Sequence, residues 1–284
     1  MLRLLLLPAL LFCIIAPVSG QKNTLLYSIK GKGAHTSYLF GTIHLIADSA
    51  FYFPAKLEKT LAKTDELVLE ISDISDRGKV LTMMRLDSGS VFDLFTPEQA
   101  DSIVNWGAQS LRMSPEAFRT GFSKMKPFAL LQIGAQAMIK GPVRYYEIEL
   151  MSKANANGQP IGGLETMDYQ LSLFENLPDS LLRDMILDGL RFPEKALEAN
   201  REMTALYVRQ DVEGLTRLIV ESEELSGSTE ALIYQRNRNW IPVITQLMTN
   251  RSCFFAVGAG HLGGEQGIIQ LLRNAGYTVT PVTY

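Results

Sequence analysis

Cysteine is nearly absent from this chain, whose 284 residues hold only Cys13 and Cys253. Cys13 lies inside an apolar run at the start, so a fold stapled by internal disulfides is excluded and stability must come from core packing. A thiolate cage for a metal is excluded for the same reason. Basic blocks are missing as well. Positive and negative residues are interspersed around a formal charge of −3, which removes the electrostatic footprint of a nucleic-acid partner. After the first twenty residues no segment is apolar over the roughly 20 positions that a membrane span needs. Neither a Pro/Ser linker nor a low-complexity tract divides the chain. The motif His-Glu-x-x-His is absent, and Glu265 follows His261 by four positions across two glycines, so a zincin helix is excluded.

What is present begins with a leader. Arg3 supplies a positive start, Leu4 to Ile15 form an apolar run, and Val18-Ser19-Gly20 offers small residues for cleavage, the pattern of a signal peptide at residues 1–20. Retention as an N-terminal anchor is the alternative, and Phe12 is too bulky for a lipid signal at Cys13. The expected mature chain is one domain, residues 21–284, exported to a periplasmic or extracellular space. Losing Arg3 moves its formal charge from −3 to −4. With 46% apolar residues it can bury a full core, and Cys253 in the apolar run Cys253 to Val257 reads as a buried, inert thiol.

Strand patterns gather at the two ends. Leu25 to Ile29, the turn Gly31-Lys32-Gly33 and Tyr38 to Phe40 predict a hairpin, followed by a strand over Glu66 to Ile71. From Pro97 to Leu190 the pattern is helical, with Pro115, Pro127 and Pro142 near helix starts and a short strand over Pro160 to Leu164. Helical spacing continues over Glu194 to Met248. The last strands are Phe254 to Val257 and Tyr277 to Val282, joined by a helix near Glu265 to Asn274 that Gly276 would end. The expected fold class is therefore α/β (α+β): one mixed sheet built from both chain ends, covered by a large central helical region.

Two segments echo each other. Leu39-Phe40-Gly41-Thr42-Ile43-His44-Leu45 and Ala256-Val257-Gly258-Ala259-Gly260-His261-Leu262 each run from an apolar strand through a glycine to His-Leu. Glycine lets the backbone leave a strand or approach another closely, and strand ends are where open α/β sheets place their sites. Taken singly, a histidine after a strand is more often a hydrogen-bonded structural residue. As a matched pair, His44 and His261 point to chemistry, either as neutral nitrogen ligands of a divalent metal or with one imidazole as a base. Gly263-Gly264 would open a helix whose free N–H groups make an anion-tolerant edge. His35, in the polar hairpin turn, reads as exposed and idle. Glu70 ends one strand and Glu165 follows another, so either could complete a His/His/Glu set as ligand or as base.

Further segments carry a resemblance. Phe40 to Leu45, the strand ending in Glu70, Lys126-Pro127-Phe128, Gly163-Leu164-Glu165-Thr166 with Gln170, Arg236-Asn237, Val257 to Leu262 and the closing Gly267 to Val282 occur in the order found in the TraB/GumN family. The chain resembles that family over nearly all of its mature length. The resemblance implies a Tiki-like fold with two Gly-x-x-His motifs and a characteristic glutamate. In the Tiki branch it implies a protease using manganese or cobalt, with zinc also suited to a nitrogen/oxygen shell. On this chain it assigns the ligands to His44, His261 and Glu70, with Glu165 and Arg236 as polar supports and a peptide or protein as substrate. The sequence departs where the family commonly shows Gly-x-Asp, because Tyr145-Tyr146-Glu147 stands there, so a direct role at Glu147 is doubtful. Two other functions stay open: a metal-independent hydrolase resembling the erythromycin esterases, with a histidine base, and a non-catalytic peptide-binding regulator. Oligomeric state is not legible.

Overall fold

A computed structural model describes residues 23–72, 77–137, 139–222 and 227–284. The proposed leader, its cleavage point and Cys13 lie outside the described residues.

Six strands form one mixed sheet: β1 (Leu26–Lys30), β2 (Ser37–Thr42), β4 (Glu66–Leu69), β6 (Ile161–Gly163), β7 (Cys253–Gly258) and β8 (Thr278–Pro281). A separate two-stranded ladder pairs β3 (Ile46–Ala47) with β5 (Val143–Arg144). Across the large sheet the order is β6-β4-β7-β2-β1-β8. Strands β6, β4, β7 and β2 are parallel neighbours, whereas β1 pairs antiparallel with β2 and with β8. The first and last strands of the described residues are thus adjacent, as the strand patterns at both ends predict.

Helices cover both faces, which is why β4 and nearly all of β1, β2 and β7 are buried and read as continuous apolar runs. Phe40, Phe254, Phe255, Tyr146 and Trp240 are fully buried in the main core, each stabilising the fold by roughly 1.5–3 kcal/mol on burial. A second core, built from Val91, Ile103, Phe118, Leu130 and Leu187, holds the central helices together. These helices start where the sequence punctuates them. Thr96 caps the helix Pro97–Leu111 with a reciprocal Gln99 contact, and Ser114 caps Pro115–Phe122, in each case with proline in the first turn, where its missing N–H is harmless. Pro142 differs from the expectation, because it precedes β5, and its carbonyl accepts from Asp48 N–H. No helix among the described residues is long and apolar enough to cross a membrane.

Candidate functional site

Four parallel neighbours end at the same edge, and each is followed within three residues by a polar side chain. β6 ends at Gly163 before Glu165, β4 at Leu69 before Glu70, β7 at Gly258 before His261, and β2 at Thr42 before His44. Parallel strands share one direction, so these four residues lie in a row across the carboxyl edge of the sheet, where open α/β folds form their crevices. The register Thr42↔Gly258 sets the two Gly-x-x-His corners side by side. Their meeting point is Gly258. A methyl group there would sit 3.4 Å from Glu70 Oε1, 3.5 Å from His44 Nε2 and 3.6 Å from His261 Cδ2.

Arg236 organises the buried half of the row. It lies on the helix Gln235–Asn250, which continues a π-helical turn at Glu230–Tyr234, and its side chain is only 8% exposed. Nη2 donates to Glu70 Oε2 at 2.5 Å and to Glu165 Oε1 at 2.7 Å. Nε donates to Glu165 at 3.1 Å, and Nη1 donates to the Leu232 carbonyl at 3.0 Å and to His261 Nε2 at 3.2 Å. These contacts use all five guanidinium N–H groups. Arg236 therefore orients protein carboxylates and holds no donor in reserve for a substrate. Gln170 bridges Glu70 and Glu165 at 3.2 and 3.1 Å, and Trp240 Nε1 donates to Glu165 Oε2 at 2.9 Å. Glu70 Oε1 accepts the Gly258 N–H at 2.7 Å. Burial alone would raise the Glu70 pKa, but Arg236, the two histidines and the Gly258 N–H outweigh it and hold the carboxylate far below its usual range.

Asn237 fixes the tautomer of His261. Its amide nitrogen donates to the carbonyls of His261 and Gln266, so its oxygen faces His261 Nδ1 at 2.6 Å and that ring nitrogen carries the proton. Nε2 is then a bare acceptor, occupied by Arg236. Burial pushes the His261 pKa down to about 3, Glu70 opposes that shift, and the Arg236 charge reinforces it, so the ring stays neutral at physiological pH.

His44 sits differently. Its side chain is 65% exposed, and Nδ1 donates to Glu147 Oε1 at 2.8 Å. Thr42 Oγ1 donates to the same oxygen at 2.7 Å. The β3–β5 ladder brings Glu147 here, since β3 follows His44 by two residues and β5 precedes Glu147 by three. The Glu147 carboxylate pushes the His44 pKa up to about 9, against its desolvation, and solvent at this open ring screens part of that field. Among the described residues, Nε2 of His44 has no protein partner.

The sequence-predicted residues His44, His261, Glu70, Glu165 and Arg236 thus lie in one site. Sequence reasoning missed Glu147 as a direct partner of His44; its position beside the Gly-x-Asp departure was the available signal, and the longer arm reaches the ring. It also placed an anion-binding edge at Gly263-Gly264, which the structure corrects. Those N–H groups already donate to Thr216 Oγ1 and Glu213 Oε2, and the next helix starts only at Ile268. His35 is exposed and Cys253 is buried, its thiol pushed up to about 12 by desolvation.

The fit to a divalent cation is limited. Two imidazole nitrogens and a carboxylate have suitable donor chemistry, but among the described residues no three His, Cys, Asp or Glu side chains stand close enough to hold an ion. The Arg236 guanidinium occupies the lone pair of His261 that a third ligand would need.

An open α/β sheet with polar residues along its carboxyl edge defines the class of protein. Residues 25–281 match the TraB/PrgY/gumN family, and the chain belongs to it. Uncharacterized protein YbaP of Shigella flexneri is 24% identical over 243 residues, 85% of this chain and 89% of that protein. The YbaP of Escherichia coli (strain K12) is 24% identical over 238 residues, 83% and 87% of the two chains. A metalloprotease TIKI homolog of Amphimedon queenslandica is 37% identical over 51 residues, 17% of this chain and 10% of that protein. No solved structure matches significantly.

Proposed function

We propose that the chain is an exported hydrolase of peptide or related acyl bonds in which His44 is the base that activates water. Elimination supports this choice. His261 has its free lone pair on Arg236 and its basicity lowered by burial. Glu70 is held ionised so firmly that it is a poor proton acceptor. Glu165 is engaged on both oxygens by Arg236 and Trp240. His44 retains an open nitrogen facing solvent, with Glu147 behind it. As water oxygen bonds to the acyl carbon, its proton passes to His44 Nε2. The same proton goes to the leaving amine or alkoxide as the C–N or C–O bond breaks. Glu147 and, more distantly, Glu70 favour the imidazolium, so the neutral ring that takes the proton is the minor form until the pH approaches its raised pKa. The imidazolium formed in the step is held by Glu147 through Nδ1–H. The observation that carries the reading is the row Glu165, Glu70, His261, His44 on four adjacent strand ends.

A metal-dependent version is the second reading, favoured by the similarity to a protein named as a metalloprotease and by the anchoring of both Nδ1 atoms, which is how metal-bound histidines are commonly oriented. His44, Glu70 and His261 would hold manganese, cobalt or zinc, which supplies Lewis acidity and a more acidic water. His261 would have to give up its contact with Arg236.

A peptide-library digest by protein purified without added metal, repeated with manganese and with a chelator, tests the proposal. Cleavage that survives chelation and disappears in His44→Ala supports the base. Cleavage only with metal supports the second reading. Peptide binding that survives His44→Ala without any cleavage leaves a binding protein. Intact-mass measurement of the exported protein tests cleavage after Gly20, and a mass retaining Met1 to Gly20 would contradict export by a removed leader.

A further inference from the structure

A cavity of about 410 Å³ opens beside the central helices, lined by Leu86, Leu94, Phe128, Leu171, Phe174 and Leu182 among others. That size lies within the range of small-ligand pockets. The helix Met167–Glu175 joins it to the candidate site. Gln170 on this helix donates to Glu70 and Glu165, and Phe174, one turn later on the same face and about 6 Å along the axis, lines the cavity. A second link runs through packing. Leu182 and Phe174 share an apolar cluster with Leu232, whose carbonyl accepts from Arg236. The rim carries four charged side chains, Asp93, Lys126, Glu175 and Asp179. Lys126 and Glu175 pair with each other at 2.6 Å, and Asp93 Oδ2 accepts the Ser90 N–H at 2.8 Å as part of a helix capping box, which leaves Asp179 as the rim carboxylate open to a ligand.

We infer that this cavity is the specificity pocket of the site and takes a large apolar side chain of a peptide that carries a cationic residue beside it. The inference rests on the hydrolase reading for the word specificity, although occupancy of the pocket is separable from turnover. The apolar wall selects an aromatic or long aliphatic group, and the Asp179 carboxylate at the mouth attracts a neighbouring lysine or arginine and repels an acidic flank. An anionic acyl chain is disfavoured by the same charge. Leu94 is half-buried and Asp179 exposed, so substitutions there can fill or recharge the pocket without opening the core.

Three fluorescent peptides, with Lys-Phe-Lys, Lys-Ala-Lys and Glu-Phe-Glu centres in a common glycine/serine frame, are the probes. Binding is measured by anisotropy on the His44→Ala protein, where turnover cannot intervene, and cleavage on the unaltered protein. The Lys-Phe-Lys peptide should bind about 10-fold or more tighter than Lys-Ala-Lys, the effect of burying one aromatic group. Leu94→Trp should bring the two to equal affinity while the melting curve stays cooperative. Asp179→Lys, on the exposed rim, should shrink the preference for Lys-Phe-Lys over Glu-Phe-Glu several-fold. Equal affinity for the Phe and Ala peptides, or Leu94→Trp with undiminished selectivity, overturns the pocket even where cleavage is observed. Selective binding without any cleavage upholds the pocket and removes the hydrolase reading.

Discussion

The two Gly-x-x-His corners share one local sequence design and one edge of the sheet, yet their histidines are chemically opposite. His261 is buried at 4% exposure, its ring 4.6 Å from that of Trp240 and enclosed by Arg236 and Asn237, and burial holds it neutral. His44 stands two-thirds in solvent against Glu147, which favours its charged form. The strand and glycine decide where each imidazole stands. What covers the corner decides what the imidazole can do: the helix Gln235–Asn250 for one, and the β3–β5 ladder for the other. The glycines differ in the same sense. A methyl at Gly41 would strike Leu262 Cδ1 at 2.7 Å and crowd the Ala259 backbone at 3.2 Å, whereas one at Gly258 would project among His44, Glu70 and His261. Gly41 therefore serves packing, and Gly258 leaves space in the site.

The largest effect should come from removing the support of the buried corner. Arg236→Met leaves Glu70 and Glu165 buried without their cation, at a cost of about 3–5 kcal/mol, read as a lower midpoint in chemical denaturation. Adding Glu70→Gln and Glu165→Gln should restore part of that loss. A midpoint unchanged by Arg236→Met would mean that the network does not hold the corner together.

Next come the histidines themselves. His44→Ala should cut turnover by roughly 10²–10⁴-fold with a smaller loss of stability than His261→Ala, because the ring is open to solvent and Glu147 keeps its contact with Thr42. His261→Ala should lower both turnover and the denaturation midpoint, since it strands Asn237 and one Arg236 N–H. His35→Ala should change neither. Equal stability losses at His44 and His261 would erase the contrast.

The glycines sharpen it further. Gly41→Ala should destabilise the fold by about 1–3 kcal/mol through overpacking. Gly258→Ala has only ordinary van der Waals contacts to make, so its thermal midpoint should stay near that of the parent while turnover falls. The reverse pattern would contradict the division of roles.

A smaller effect separates the base from its support. The neutral form of His44 is the active one, so activity should rise with pH through its raised pKa. Glu147→Gln removes the negative charge that favours the imidazolium, and the inflection of the pH–rate curve should move downward toward the ordinary imidazole value near 6.5. An inflection that stays in place assigns the titration to another group.

Much of this was legible locally. The hairpin, the short strand before Glu165 and the closing strand–helix–strand are written in short apolar runs and turn residues, and the matched corners mark the strand ends that β2 and β7 in fact provide. The pairing of His44 with Glu147 spans 103 positions, and that of Arg236 with Glu70 spans 166. No local pattern encodes such contacts. Arg236 enters only through the family resemblance, because helical spacing does not reveal which neighbour covers a residue of a long helix. The same limit misplaced the Gly263-Gly264 edge, whose N–H groups are taken by Thr216 and Glu213 from a distant helix.

The most direct measurement is an NMR titration of the imidazoles in one sample. His44 should titrate well above the ordinary histidine value, toward 9, and His261 should show no transition above about pH 4, its pKa being held near 3. Two coincident transitions near 6.5 would mean that the matched corners are chemically alike and that His44 has no special claim to be the base.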